Sequence, residues 1–375
     1  MPHIGINGRS LSRQLTGVQH YAREVTHALC ALSPKDVNFT VFFGREERTA
    51  VSELPAAASS IPAGGPVRGI IWEQTALRRM IRKAGIDVLF NPANTAPLNP
   101  PASSVVTIHD LSFLLFPEYF SRAFGTYYRT LIPRIANQAT AIITVSDSSR
   151  QDLINHLGIA PEKITAIHSG VSADFCRRIK KADLEAVRQR LGLPPKFFLS
   201  VSSLEPRKNL RRLVQAYGML PADITEEFGL VLVGAGNRIF TDPAYTDELA
   251  RIPSGSVFTP GYVTEDDIAA VYRLSAALVF PSLYEGFGLP VLEAMAASTP
   301  VITSNRSSLP EVAGTAAALI DPDSPEEIAA AMELVATDSG TRTLLIERGK
   351  KRAAAFKWDK TAKATLEVLL AAANR

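Results

Sequence analysis

The sequence predicts an α/β protein built from two doubly wound, mostly parallel sheets, one in each half of the chain. Three observations carry this. Short apolar runs rich in Val, Ile and Phe alternate with helical stretches through the first half. The second half repeats that grammar without repeating the sequence. The 375 residues also exceed what one hydrophobic core usually serves.

In the first half, PHIGING (2–8), VNFTVFFG (37–44), IDVLFNP (86–92), SVVTIHD (104–110) and TAIITVS (140–146) read as buried strands closed by Gly, Asn, Pro, Asp or Ser. Helices are expected over 17–32 and 127–138. In the second half the strands are 197–203, 228–234, 256–261, 276–282 and 299–304, with helices near 209–219, 265–274, 290–298 and 325–338. Between the halves lies a charged segment, 173–196, ending in a proline pair. It puts a domain boundary near 175–195, drawn here between 177 and 178. The first domain is then 1–177 and the second 178–358. The last stretch, 359–375, has an apolar face and no strand after it, so it is expected to pack back on the first domain. Ligands of such sheets sit at the carboxyl ends of the strands, and the two domains are expected to face each other across a cleft.

Composition excludes several classes. The hydrophobic fraction is 46% and the charged fraction 21%, ordinary values for a soluble enzyme. No apolar run approaches the length of a membrane-spanning helix, and the first residues lack the apolar core of a secretion signal, which points to the cytoplasm. Two cysteines, Cys30 and Cys176, argue against a disulfide framework or a cysteine-ligated metal. Residues 1–177 carry 17 basic against 13 acidic side chains and the remainder 23 against 24. That excess is too small to argue for nucleic acid, but it turns the first half toward anionic partners.

The stretch PSLYEGFGLPVLEAMAASTPVIT (281–303) carries the most chemistry. A strand ends at Pro281. Gly286 and Gly288 allow close backbone approach or positive φ. Pro290 stands where a first helical residue belongs. The N–H groups that open this helix make an anion site suited to phosphate. Glu285 precedes the helix and Glu293 is expected in its first turn. A carboxylate can grip a vicinal diol, so two of them flanking a phosphate site match a nucleotide sugar. Glu293 alone could equally be a carboxylate that favours the helix dipole.

The segment E-G-F-G-L-P-x-x-E-A-M-A resembles the E-x7-E region of the retaining glycosyltransferases of family 4, which have the GT-B fold of two Rossmann-like domains. VSSLEPRKNL (201–210), LVGAGN (232–237), 260–290 and SSLPEVAG (307–314) resemble it too, as do TGVQHYARE (16–24), VVTIHDLSFLLFPEYF (105–120) and ITVSDSSRQDL (143–153). The LEPRKNL and TIHDLSF wording is most similar to the bacterial mannosyltransferase-like branch that builds surface polysaccharides. The resemblance implies an acceptor-binding first domain and a donor-binding second domain. It also implies transfer of a hexose, mannose from GDP-mannose, to a saccharide or lipid-linked saccharide.

It further implies residue roles. Glu285 holds the sugar and Glu293 the ribose. Lys208 and Arg207, in EPRKN (205–209), hold the diphosphate, where cations act most as charge develops on the leaving group. The family's arginine often stands about where this chain has Ser202, a departure that leaves Arg207 to compensate. His109 lies near the transferred sugar and assists catalysis, unless it is a satisfied histidine capping its loop. Gly17 resembles the glycine loop beside the phosphates. Gly234 lines the nucleotide, Tyr262 and Val263 frame the base, and the backbone at Gly286, Phe287, Gly288 and Leu289 contacts sugar and phosphate. Glu311 reads as a helix-start carboxylate.

Neither a metal site nor a cofactor is expected. The histidines show no ligand spacing, no D-x-D is suited to a diphosphate-bound cation, and the Arg/Lys pair with the helix dipole can take the metal's place. GAGN is a weak dinucleotide signal, because position 239 is Ile where a third glycine would stand. A UDP-sugar donor, a GT-B epimerase and a nucleotide-sugar binder stay open. So does a glycoside hydrolase, though an anion-binding helix start lies between the two glutamates. A helix over 73–85, with Leu77, Met80 and Ile81 beside Arg78, Arg79, Arg82 and Lys83, suits peripheral contact with the inner membrane. It equally suits packing on the sheet with a solvated basic face.

Overall fold

The computed structural model describes residues 1–11, 17–32, 34, 36–43, 54, 58–62, 69–234 and 243–374. Positions 235–237 of GAGN and the loop just before Gly17 lie outside the described residues. The chain divides into two compact units, Met1–Gly170 with Lys357–Arg375, and Val171–Phe356.

Unit 1 holds a seven-stranded parallel sheet. Its strands are β1 (His3–Asn7), β2 (Asn38–Phe43), β3 (Ala58–Pro62), β4 (Val88–Asn91), β5 (Ser103–Thr107), β6 (Ala141–Thr144) and β7 (Ile164–Ala166), in the order β3-β2-β1-β4-β5-β6-β7. Unit 2 holds six parallel strands: β8 (Phe197–Val201), β9 (Gly229–Val233), β10 (Val257–Gly261), β11 (Ala277–Phe280), β12 (Val301–Ser304) and β13 (Ala318–Ile320), ordered β10-β9-β8-β11-β12-β13. The strand order reverses between β1 and β4 in unit 1 and between β8 and β11 in unit 2. These switch points are where crevices open at the strands' carboxyl ends.

Five strands expected in each half are present. β3, β7 and β13 were not anticipated. β7 and β13 are three residues long, too short to show a period, and β3 reads ASSIP, with no apolar run. The helix expected over 127–138 begins earlier, at Arg122, where Ser121 accepts from the Phe124 amide as N-cap. The helix expected over 73–85 is two pieces, Gly69–Gln74 and Ala76–Ala84, divided at Thr75.

That second piece answers one open question. Leu77 and Ile81 are fully buried against Phe42, Trp72 and Leu89, and Met80 packs beside them. The apolar side is consumed by the core, and Arg79, Arg82 and Lys83 remain exposed.

The division between units falls at Gly170, seven residues before the position expected. The reason is the short helix Ala173–Cys176, which packs on the Leu289–Ala296 helix of unit 2 while Arg273 donates to the Phe175 carbonyl at 2.8 Å. Residues 171–177 are thereby bound into unit 2. The final helix, Trp358–Ala373, packs on the Gly17–Leu32 helix of unit 1. Trp358 meets Tyr21 edge-on at 5.9 Å, Leu369 is fully buried, and Thr361 donates to the His168 carbonyl at 2.7 Å.

Gly170 sits against the start of that helix. A Cβ there would lie 2.3 Å from the Trp358 amide nitrogen and 2.7 Å from the Lys357 carbonyl carbon. Backbone on backbone leaves nothing to rotate away. Gly170→Ala should therefore cost about 1–3 kcal/mol of unit 1 stability, read as a lowered thermal midpoint. An unchanged midpoint would show that the junction tolerates a side chain.

Candidate functional site

The site of unit 2 is built at its switch point by the turns that follow β8 and β11. After β8, a 3-10 turn over Pro206–Lys208 leads to Asn209, which takes a left-handed φ of +59°. Asparagine tolerates that conformation better than most residues. Its side-chain amide donates to the carbonyls of Pro281 at 3.1 Å and Pro322 at 2.6 Å, tying the turn to the ends of β11 and β13. The Leu283 amide donates to the Arg207 carbonyl at 2.8 Å. The two turns are one rigid piece before any side-chain charge is considered.

Glu285 projects into that piece. Its Oε1 accepts from Lys208 Nζ at 2.6 Å and its Oε2 from Arg207 Nη1 at 3.2 Å. Arg207 is held at its other edge by Glu205, Nε to Oε2 at 2.7 Å, and also donates to the Tyr284 carbonyl at 3.2 Å. Ser203 donates to Glu205 at 2.8 Å. Lys208 Nζ lies 5.4 Å from the centroid of the Phe280 ring. Two cations and two carboxylates, all largely buried, thus neutralise one another. Burial alone would raise the Glu285 carboxyl, but Lys208 and Arg207 outweigh it and hold it below the ordinary range; Glu205 behaves likewise. Burial, aided by Arg207, pushes the Lys208 amine down, and the carboxylates oppose that.

The loop after Glu285 is braced from β12's side. Ser307 accepts from the Glu285 amide at 3.0 Å, and the Ser308 hydroxyl reaches the carbonyls of Glu285 at 2.9 Å and Phe287 at 2.8 Å. Gly286 does not take positive φ; Gly288 does, at +112°, and it caps the Leu289–Ala296 helix. A Cβ at Gly288 would also lie 2.7 Å from Leu309 Cδ2. Pro290 is the helix's second residue rather than its first, and Glu293 is its fifth. Glu293 therefore stands one turn inside the helix, not in the first turn, because the helix opens at Leu289. Its Oε2 accepts from the buried Tyr272 hydroxyl at 2.9 Å. Burial first, and then Glu293, push the Tyr272 phenol well above its ordinary value, so it stays a donor.

The remaining candidates of this unit line the neighbouring strand ends. Gly234 has φ +84°, and a Cβ there would meet the Ser202 carbonyl oxygen at 2.9 Å, so glycine is what lets β9 end against β8. Val263 is buried while Tyr262 is 59% exposed. The Phe287 side chain turns inward onto Phe356, 6.0 Å between ring centroids, so that residue offers backbone rather than its ring. Glu311 lies in the first turn of the Leu309–Ala313 helix, as a helix-start carboxylate.

His109 and Gly17 belong to unit 1. Gly17 opens the helix that carries Tyr21, and the Tyr21 ring meets His109 edge-on at 4.7 Å. His109 is buried two residues past β5. Its Nε2 is 3.0 Å from the Pro92 carbonyl, which can only accept, so Nε2 carries the proton and Nδ1 is left as an acceptor. Asn94 accepts from the His109 amide at 2.8 Å. Burial lowers the imidazole below its ordinary value, with the Pro92 bond and Asp110 opposing, so the ring favours its neutral form.

Sequence reasoning missed Ser307, Ser308, Asn209 and Glu205 as parts of the site. The serines sit in quoted SSLPEVAG, where paired hydroxyls before a Leu-Pro helix start were a usable signal. Asn209 and Glu205 flank the two cations in EPRKN.

With this geometry in place, comparison with known proteins is decisive. The family profile Glycosyltransferase Family 4 matches residues 15–175, and the profile Glycosyl transferases group 1 matches residues 183–352. The chain is 34% identical over 258 residues to O-antigen chain mannosyltransferase B of Escherichia coli, covering 68% of this chain and 67% of that protein. The chain belongs to glycosyltransferase family 4. A second E. coli relative, the serotype-specific mannosyltransferase WbdA, is 33% identical over 279 residues, 72% of this chain but 33% of that longer protein. The match thus spans about a third of WbdA. Among solved structures, Anabaena Alr3699/HepE in complex with UDP-glucose superposes with a TM-score of 0.76 at 18% identity, over 98% of this chain and 99% of that one. This family 4 glycosyltransferase therefore has the GT-B fold.

The charge cluster makes a specific stability claim. Lys208→Met should destabilise unit 2 by about 3 kcal/mol, because part of the Glu285 charge is left buried without its closest partner. The depressed Glu285 carboxyl contributes stability that is full above the ordinary carboxylate value of about 4.3. That contribution is lost as pH falls through the lower folded value. Glu285→Gln should accordingly lose less stability than the wild type on acidification below about pH 4. Parallel acid-unfolding curves would show that the pair is not coupled to folding.

Proposed function

We propose that this protein transfers a hexose, mannose from GDP-mannose, to a hydroxyl of a saccharide or lipid-linked saccharide in surface polysaccharide synthesis, with retention of anomeric configuration. The observation that carries the reading is Glu285 held between Lys208 and Arg207 at the switch point of unit 2, beside a glycine-capped helix start. A diphosphate arriving there meets two cations and the helix N-terminal amides. It takes up hydrogen-bonding capacity that Glu285 now uses, and this turns the carboxylate toward the sugar hydroxyls. As the glycosidic bond breaks, charge grows on the leaving phosphate and the cations gain most. Glu293, oriented by Tyr272, grips the ribose. His109, neutral with an acceptor nitrogen, suits a sugar hydroxyl better than a phosphate. Arg207 supplies the cation that Ser202 cannot. Neither metal nor cofactor enters this scheme: the two cations do the neutralising.

The relatives named as mannosyltransferases support the donor assignment. Among the described residues no helix is long and apolar enough to cross a membrane. The exposed Arg79, Arg82 and Lys83 support contact with the anionic inner face of the cytoplasmic membrane, by charge rather than by insertion. Liposomes containing anionic lipid should then sediment the protein, and replacing these three residues with Gln should release it. Equal sedimentation with neutral liposomes would remove the membrane clause.

Calorimetric titration with GDP, UDP and ADP, then GDP-mannose and UDP-glucose, tests the donor. Selective binding of GDP and GDP-mannose is expected. Preference for UDP would discard mannose and keep transfer, while binding without turnover would favour a nucleotide-sugar binder. Glu285→Gln is the cleaner catalytic probe, since its amide oxygen keeps an acceptor for Lys208 that Glu285→Ala would remove, while Arg207 stays paired with Glu205 in both. It should reduce turnover at least a hundredfold, about 2.7 kcal/mol, with GDP affinity nearly retained. A near-native rate would sink the role assigned to Glu285.

A further inference from the structure

His109 is held by three separate stretches of unit 1. Its backbone is pinned at both ends: Asn94 Oδ1 accepts from its amide at 2.8 Å, and the Ser149 hydroxyl donates to its carbonyl at 3.0 Å. Among the described residues its ring makes one hydrogen bond, from Nε2 to the Pro92 carbonyl at 3.0 Å. That bond selects the tautomer but does not set the plane of the ring. The last torsion of a histidine is broad and nearly two-fold, so packing has to choose its angle. Tyr21 supplies that packing. Its ring meets the imidazole at 89°, with 4.7 Å between centroids, inside the range of a true edge-to-face contact.

Tyr21 is in turn held at two points. Its hydroxyl lies 3.4 Å from the hydroxyl of Thr107, the last residue of β5 and two residues before His109. Its ring meets Trp358, at the start of the final helix, at 5.9 Å and 63°. Trp358 also meets His20 edge-on at 6.2 Å, so the indole sits over two consecutive residues of the Gly17–Leu32 helix. Trp358 is fixed from behind by the close approach of Gly170 to its amide, and its helix by the Thr361 bond to the His168 carbonyl. Its Nε1 is buried without a hydrogen-bond partner among the described residues. A buried indole N–H left in that state is unfavourable, so what the position gains is the surface of the ring. Aliphatic side chains would cover the Gly17–Leu32 helix equally well. The aromatic series Trp358–Tyr21–His109 instead ends on an imidazole, where orientation matters and not only buried area.

We infer that Tyr21 is a positioning residue for His109, setting the plane of the imidazole by its edge-on contact, and that Trp358 holds Tyr21 in that place. This rests on the reading above that His109 meets a sugar hydroxyl through Nδ1. With Nε2 bound to the Pro92 carbonyl, the direction of Nδ1 follows from the plane of the ring. Burial pushes the Tyr21 phenol up to about 12, so an uncharged ring faces the imidazole at any working pH. Neither aromatic belongs to unit 2, which carries Lys208, Arg207 and the glycine-capped helix start. Their loss should therefore reach sugar transfer and leave nucleotide affinity alone.

Three variants of the full-length protein test this: Tyr21→Phe, which keeps the ring, and Tyr21→Leu and Trp358→Leu, which each remove one. The first readout is the tautomer of His109, read from long-range nitrogen–proton spectra of histidine-labelled protein and assigned with His109→Gln. Wild type and Tyr21→Phe should show the Nε2–H form alone, whereas both leucine variants should show a mixture of tautomers. The second readout is turnover of GDP-mannose with a linear α-manno-oligosaccharide. It should fall about tenfold in Tyr21→Leu and about threefold in Trp358→Leu, with GDP affinity within about twofold of wild type and Tyr21→Phe near the native rate. Trp358→Leu decides the matter if Tyr21→Leu does not fold. An unchanged His109 tautomer in a folded leucine variant would overturn the inference. So would a loss in Tyr21→Phe equal to that in Tyr21→Leu, which would move the effect from the ring to the hydroxyl. Near-native turnover in His109→Gln would fail the reading of His109 in transfer, and the tautomer signal would still decide whether Tyr21 positions it.

Discussion

The carboxylate of Glu285 between two buried cations is the constraint on which the second unit depends. A buried charge is tolerated only when paired and hydrogen-bonded, and here each of four charges has a partner. Asn209 places Lys208 and Arg207 by taking a left-handed turn and fastening it to the ends of β11 and β13. Ser307 and Ser308 fix the backbone on which Glu285 rides. None of these three bracing side chains, Asn209, Ser307 and Ser308, needs to touch a substrate to matter, because each removes a freedom the charge cluster would otherwise have to restrain. The four charges sum to zero, so the cluster is neutral as a whole.

The two units apply the same topological rule to different chemistry. Each sheet reverses once, and each reversal carries a cluster of polar side chains. In unit 2 the cluster contains two cations next to a helix start with a glycine cap, which suits phosphate. In unit 1 the cluster is a single neutralised pair among amides and hydroxyls, Arg9 and Glu73 with Asn7, Asn91 and Thr95. Sheet order supplies the crevice in both cases, and the residues after the strands set its charge.

Much of the fold was legible because buried parallel strands are continuous apolar runs, as FFLSV and GLVLV show, and because glycine and proline mark their ends. Three-residue β7 and β13 could not be read, since no period is expressed in so few positions. The broken helix at Thr75 was hidden for another reason: its apolar positions keep a helical spacing across the break. At the site, Glu285, Lys208 and the glycine loop were readable as a local motif. The position of Glu293 was off by one residue, enough to take it out of the first turn, because Gly288, with φ +112°, starts the helix at Leu289 and fixes the count from there. Ser308 and Asn209 were illegible in role, since each acts across tens of residues on a carbonyl that sequence cannot locate. The Arg9–Glu73–Thr95 contact joins three separate segments and has no local signature at all.

The return of the last helix to the first unit has a consequence for synthesis. The Gly17–Leu32 helix is made before the second unit, with His20 and Tyr21 on the face that Trp358–Ala373 will cover. All of Val171–Phe356 must be translated before that cover exists. At about 5–20 residues per second this takes roughly 10–40 s. Throughout that interval unit 2 can close completely while unit 1 waits with an apolar helix uncovered. The nascent chain thus carries an early-made, late-finished domain, and its exposure to chaperones and to premature aggregation is set by the ribosome's pace, not by the stability of the finished fold.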